Sequence, residues 1–325
     1  MATIRPLELS DHSLVTRYLQ RYLPEISELT FTNLFVWGGS RPIWLADVED
    51  SVVFIANADV DDTSTKVILG PPVGEASPLS VADALGIELE GFVRIPEEMA
   101  NTLRNEGLNI ESDRNNWDYV YSVSDLAGLK GRHYHKKRNL IKQCLAAYRC
   151  EYEPLTPQLV SECLDMQDRW CEVRECGKNP GLCNEYVAIR RTFSHFEALR
   201  PTGGAIRING KIQAYSLGEQ LNPGTAVTHF EKAMPGMQGL GQLINQWFTI
   251  HALNDFQFVN REQDLGISGL RQAKESYHPH HMIEKFVAGL KAGDSMMPLL
   301  TNPHECPKHG PITETQELTS HDTPR

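Results

Sequence analysis

Hydrophobic and polar positions divide the chain into segments of two periods. In YRCEYEPLTPQLVSECLDMQDRW a short strand precedes a helix on which Leu159, Cys163, Met166 and Trp170 recur at helical spacing. A second helix is predicted over NEYVAIRRTFSHFEALR. Alternation takes over in GAIRINGKIQAYSLGEQL, where Asn209-Gly210 sits between two alternating runs and can accept the positive φ angles of a tight hairpin. Asn222-Pro223-Gly224 marks a further turn and TAVTHFEKA a third strand, so three antiparallel strands form a meander. A glycine-rich turn leads into the helix GLGQLINQWFTIHAL, with Leu240, Leu243, Ile244, Trp247 and Phe248 on one face. FQFVNRE is predicted as a strand, GISGLRQAKESY as a short helix and HMIEKFVAG as one last strand.

The first half repeats much of this order. TIRPLELSDHSLVTRYLQRY gives strand then helix, and RPIWLA, SVVFIANA and TKVILGPP give a meander. SPLSVADAL, GFVRI, PEEMANTLRNEG and NWDYVYSV then alternate helix and strand. The openings RPLELSDHSLVTRYLQRY and EPLTPQLVSECLDMQDRW align loosely, at a period of about 150 residues that indicates a duplicated domain. This element order is that of the GCN5-related N-acetyltransferase (GNAT) fold. The expected class is α+β or α/β, with two tandem GNAT-like domains, each a mixed, mostly antiparallel sheet flanked by helices. Residues 1–128 form the expected first domain and residues 129–292 the second, with the active site. Residues 293–325 are polar, rich in Pro and Thr and aperiodic, and are expected to be a disordered tail. Its His304, Cys306 and His309 stand close in sequence, but no metal is assigned to them.

Composition narrows the class. The chain has 325 residues, 41% hydrophobic and 22% charged, as expected of a soluble globular protein. It has no run of about 18 apolar residues to span a membrane, and its start lacks the pattern of a secretory signal. The seven cysteines contain no C-x-x-C pair, and Cys163, Cys171, Cys176 and Cys183 are expected to be reduced, mostly buried thiols of a cytoplasmic protein. The net charge of −11 disfavours a protein that coats nucleic acid with its whole surface. KGRHYHKKRNLIKQC is the local exception.

Three motifs, NWDYVYSVSDLAGLKGRHYHKKRNLI, THFEKAMPGMQGLGQLINQWF and VNREQDLGISGLRQAKESYHPHHMIEKF, together resemble a bacterial family of unknown function. That family is similar to the C-terminal domain of phosphatidylglycerol lysyltransferases. The resemblance implies tandem acetyltransferase-like domains and an acyl or aminoacyl transferase. The donor would be aminoacyl-tRNA or acyl-coenzyme A, and the acceptor a small molecule or a lipid headgroup.

The candidate residues follow from their chemistry. Alternation in TAVTHFEKA puts His229 and Glu231 on one face with Val227, and either could take a proton from an attacking nucleophile. Gly236, Gln238, Gly239 and Gly241 form a turn before a helix, where free N–H groups favour an anion such as a pyrophosphate. Along the next strand Asn260 and Glu262 share a face; Glu262 or Asp264 would bind a substrate amine, and Arg271 and Lys274, three apart on a helix, an anionic or carbonyl group. Lys274 is also a candidate for stabilising an oxyanion, and Tyr277 for protonating a leaving group. Lys136, Lys137 and Arg138 would bind phosphate of tRNA or coenzyme A. Two rivals stand beside the aminoacyl transferase: a coenzyme A-dependent N-acyltransferase, and a non-catalytic module binding a metabolite or a partner.

Overall fold

The computed structural model describes residues 2–58 and 65–290, so the predicted tail and its His304, Cys306 and His309 lie outside the described residues. The strands are β1 (Ile4–Pro6), β2 (Ile43–Val48), β3 (Ser51–Asn57), β4 (Lys66–Leu69), β5 (Val73–Gly74), β6 (Leu89–Pro96), β7 (Asn109–Ser112) and β8 (Asp118–Ser122). They continue with β9 (Cys150–Pro154), β10 (Thr202–Ile208), β11 (Lys211–Asn222), β12 (Thr225–Ala233), β13 (Phe258–Asn260), β14 (His281–Ile283) and β15 (Lys285–Gly289).

These strands build two mixed sheets of an α+β fold. The first runs β1-β2-β3-β4-β6-β15-β7, with β5 beside β3. The second runs β9-β10-β11-β12-β13-β8-β14. Position by position the two orders match. Each holds an antiparallel meander, then one parallel pair, β4 with β6 and β12 with β13, then two antiparallel strands. The match comes with an exchange. β8 follows β7 in the chain but pairs with β13, and β15 follows β14 but pairs with β6. The linear division at residue 128 therefore separates β8 and β15 from the sheets they complete. The segment HMIEKFVAG is two strands and not one, because the chain crosses from one sheet to the other at Glu284.

Local chemistry explains the elements. Asn209 and Gly210, at φ 51° and 75°, make the hairpin between β10 and β11. Ser77 accepts the Ser80 N–H at 3.2 Å and caps the helix Pro78–Leu85, which ends at Gly86 in the left-handed region. Asn179 caps the helix Pro180–Ser194 in the same way. The helix Phe31–Trp37, which sequence periodicity missed, is buried along nearly its whole length and is capped by Thr30.

The largest core cluster joins the halves: Leu19, Phe31, Phe35 and Phe54 pack with Met166, Phe193, Tyr215 and Phe230. The opposite face of the second sheet packs on the helices His135–Ala147 and Leu240–Ala252 through Cys144, Leu243, Ile244 and Phe248. At the crossing, Lys285 of β15 is 0% exposed and donates to Asp118 of β8 at 2.7 Å and to Glu28. Two carboxylates around one buried ammonium satisfy a charge that burial alone would make costly. Cys171 and Cys176 form a disulfide with Cα atoms 5.1 Å apart, which corrects the expectation of thiols at these two positions. They flank the turn that ends the helix Val160–Val173, close enough in sequence for the turn to bring them together.

Candidate active site

The parallel pairing of β12 with β13 covers only Thr225–Val227 against Phe258–Asn260, while β12 runs on to Ala233. Beyond that point side chains bridge the strands. His229 Nδ1 lies 2.8 Å from Glu262 Oε1, and Arg261 Nη2 donates to Glu231 Oε1 at 3.0 Å.

A β-bulge aims these groups. Phe230 lies across from Leu217 and Thr228 across from Gly218, so His229 is the extra residue. The bulge resets the alternation that the sequence suggests. Val227 faces Glu219 across the ladder while Glu231 faces Ser216, so Val227 and Glu231 are on opposite sides of the sheet.

His229 is 3% exposed and lies between two carboxylates, with Nε2 2.8 Å from Glu219 Oε1. Burial pushes the imidazole pKa down, but hydrogen bonds and charges of Glu219 and Glu262 outweigh it and raise the pKa to about 9. At neutral pH His229 is therefore an imidazolium and not a base. Glu262 also accepts from Asn33 Nδ2 at 3.1 Å and, at φ 58°, donates its own N–H to Asn260 Oδ1 at 2.8 Å. Asn260 is fully buried and donates to Asp118, so it supports Glu262 from behind.

Glu231 has different partners. Asn245 Nδ2 donates to it at 2.9 Å and Arg261 at 3.0 Å. Among the described residues, three buried polar atoms near it have no hydrogen-bond partner: Asn245 Oδ1, Arg261 Nη1 and the Oγ of Ser216, its neighbour across the ladder. Orphaned groups of this kind cost free energy unless a ligand or water meets them. Glu231 also lines a cleft of about 300 Å³ with Trp170, Arg174, Lys232, Ala233 and Pro235. Lys274 joins this group through the backbone, its Nζ donating to the carbonyls of Arg261 and Glu262. Burial and the nearby Arg261 lower its pKa to about 8.

The remaining candidates are spread around this centre. Asp264, 0% exposed, accepts from Arg271, Arg114, Tyr119 and the Gly266 N–H, an ion-pair network that locks the helix Ser268–Glu275 to β8. The Tyr277 ring is buried under the Lys137 ammonium, 3.9 Å from its centroid, and its phenol is pushed up, mainly by burial. Lys137 donates to Ser276 Oγ at 2.7 Å, and Arg138 donates to the Leu129 and Gly131 carbonyls. Lys136 remains exposed. A Cβ on Gly239, at φ 84°, would collide with the Leu140 carbonyl, so this glycine lets the helix Leu240–Ala252 pack against His135–Ala147. Gly236 and Gln238 are exposed, and Gly241 lies in the first turn of that helix.

The fold thus gathers His229, Glu231, Glu262 and Lys274 and sets Asp264 and Arg271 in a neighbouring ion-pair network. It adds Asn33, Glu219, Asn245, Arg261, Trp170 and Arg174, none of which was among the candidate site residues. Arg261 and Asn245 stood inside the motifs VNREQD and LINQWF; Asn33 had no signal, because the buried helix that carries it was not recognised.

Comparisons with known proteins agree with this architecture. The family model for the C-terminal region of phosphatidylglycerol lysyltransferase matches residues 19–289. A conserved protein of unknown function from Bacteroides thetaiotaomicron is 32% identical, with a TM-score of 0.81, over 90% of this chain and 100% of that one. L-PGS from Bacillus licheniformis is 14% identical with a TM-score of 0.57, over 87% of this chain and 92% of that one. The C-terminal domain of a protein assigned as a lysylphosphatidylglycerol synthetase from Agrobacterium fabrum is 13% identical with a TM-score of 0.62, over 88% of this chain and 93% of that one. A search of curated proteins gave no match. Among the described residues, no helix is long and apolar enough to cross a membrane. The architecture is a mixed, two-sheet α+β fold, and the chain belongs to the family of phosphatidylglycerol lysyltransferase C-terminal domains.

Proposed function

We propose that the cleft at Glu231 is a site of acyl transfer, and that the group moved is an aminoacyl group carried by tRNA. On this account the chain is a tandem of acetyltransferase-like domains that exchange one strand each, with the site in the second. One observation carries the proposal: where the parallel pair ends, a carboxylate with two fixed partners and three orphaned polar neighbours lines a small open cleft. Membership of the family supports it.

The chemistry follows from the partners. Glu231 takes a proton from the amine or hydroxyl of the acceptor as that atom attacks the ester carbonyl. The bond from carbonyl carbon to ribose oxygen breaks, and the ribose oxygen leaves with the proton returned from Glu231. Arg261 Nη1 and the Lys274 ammonium meet the negative charge that develops on the carbonyl oxygen. Glu262, held by Asn33 and by the His229 imidazolium, fixes the loop that carries Arg261. The exposed Lys136 faces donor phosphate. A coenzyme A donor would instead need the Gly236–Gly241 loop, but Gly239 is already committed to helix packing, which favours tRNA.

The test is to incubate the purified chain with a panel of labelled aminoacyl-tRNAs, or with acetyl-coenzyme A, and ethanolamine as a generic acceptor. Loss of aminoacyl ester that depends on enzyme and on Glu231 is expected. Thiol release from acetyl-coenzyme A alone would assign the cleft to the coenzyme A-dependent reaction. Consumption of neither donor would favour the non-catalytic module.

A further inference from the structure

A chain of contacts leads from Glu231 to the protein surface. Glu231 pairs with Arg261, and the Arg261 guanidinium lies 5.1 Å from the centroid of the Tyr277 ring. The Lys137 ammonium lies over the same ring at 3.9 Å. The residue after Tyr277 is His278, which is exposed. Its ring centroid is 4.8 Å from that of His133, which is exposed too, and the two rings meet edge to face.

The two histidines come from distant segments and are held together from below. Tyr134 is 2% exposed and donates its hydroxyl to the Tyr277 carbonyl at 2.8 Å. Its ring lies 4.3 Å from that of His133 and 5.6 Å from that of His278. Arg138 fixes the turn ahead of His133 through the Leu129 and Gly131 carbonyls. His278 stands at φ 53° directly before Pro279, whereas residues before proline favour extended backbone. Strain of this kind persists where the surroundings impose it, and it clusters at ligand sites. Lys130 and Arg132 precede His133 and Lys136 follows it; all three are exposed and make no ion pair among the described residues. Asp125 is the acid whose charge acts on Tyr134. In a chain of net charge −11, this local excess of cations matches a polyanion. Phosphates alone do not need the imidazoles. Unpaired RNA bases do, because they stack on histidine as on other aromatic rings, and their faces are free only where the strand is single.

We propose that His133 and His278 form a stacking platform for an unpaired base at the single-stranded 3′ end of an RNA, with Lys130, Arg132 and Lys136 on the adjoining phosphates. The proposal deepens the function given above and rests on it only for the identity of that RNA as the aminoacyl donor.

Fluorescence anisotropy with the purified full chain tests it. The probes are an RNA hairpin with a short unpaired 3′ tail, the same hairpin with a blunt end, and the same hairpin with an abasic tail. The tailed hairpin is expected to bind more tightly than the other two. His133→Ala should weaken its binding about 5–150-fold, the range for one stacked base, and leave the blunt hairpin unchanged. His278→Asn, which tolerates the same φ, should act in the same way. His133→Phe keeps a ring and should keep most of the preference. Melting temperatures should not change, since both side chains are exposed. Changing Arg132 and Lys136 together to Ala should weaken all three probes alike and flatten their salt dependence. Equal binding of the three probes, no binding of RNA, or a tail preference that survives both histidine variants would overturn the proposal. So would a His133→Phe variant that binds no better than His133→Ala. Tail binding that depends on His133 without any aminoacyl transfer would count against the transferase function and not against this platform.

Discussion

His229 Nδ1 and Glu262 Oε1 lie 2.8 Å apart across the point where β12 and β13 cease to pair. With Glu219 on the other ring nitrogen, the imidazolium ties three segments together where backbone bonds no longer do. Its pKa is about 9 in the fold, against about 6.5 in an unfolded chain. The stabilisation is complete below about pH 6.5 and is lost as the pH rises through 9. Urea unfolding measured from pH 6 to 10 should show this decline in the native protein and not in His229→Gln. A decline of equal size in the variant would contradict the assignment.

Removing the imidazolium outright leaves two half-buried carboxylates, Glu219 and Glu262, without the charge between them. His229→Ala should cost about 3–5 kcal/mol, the range for breaking a buried ion pair. Denaturant midpoints at pH 7 measure this cost.

Asp264 separates a structural role from a substrate-binding one. Its charged partners Arg114 and Arg271 and the Tyr119 hydroxyl overcome burial and hold its carboxyl far below the usual range. Asp264→Asn should lower stability by about 3 kcal/mol or more. An unchanged melting temperature would return Asp264 to the list of substrate-binding residues.

The two glycines at positive φ before the helix Leu240–Ala252 should respond differently. Gly236→Ala meets no neighbour and should cost only the backbone term, about 1–2 kcal/mol. Gly239→Ala adds the collision with the Leu140 carbonyl and should cost distinctly more. Equal losses would mean that the packing of this helix yields more readily than the contact implies.

Lys274, with its pKa near 8, should make transfer fall as the pH rises through that value and the ammonium is lost. Lys274→Arg keeps the charge and should move this fall to higher pH. A limb that stays at pH 8 in the variant would assign it to another group.

Periodicity in the sequence carried the two meanders, the Asn209-Gly210 hairpin and the helix after the glycine turn, because each rests on a pattern within one segment. The bulge at His229 was not legible, since a single extra residue changes pairing without changing composition. The exchange of β8 and β15 was also hidden: nothing local to FVAG says which sheet it completes. Around the candidate site, Glu231 and Glu262 stood out as charges on otherwise apolar strands, and Lys274 as a charge three residues from Arg271 on a helix. Asn33, Trp170 and Arg174 reach the centre from distant segments, and only the tertiary fold brings them there.

The central claim is that Glu231 serves as the base in this cleft. The most direct test is the rate of aminoacyl transfer by Glu231→Gln against the native protein, with the two matched for folding by thermal melt. The account predicts a loss of about 10²–10⁴-fold, the usual contribution of a positioned general base, with little change in melting temperature. Transfer at the native rate in a folded Glu231→Gln would contradict it.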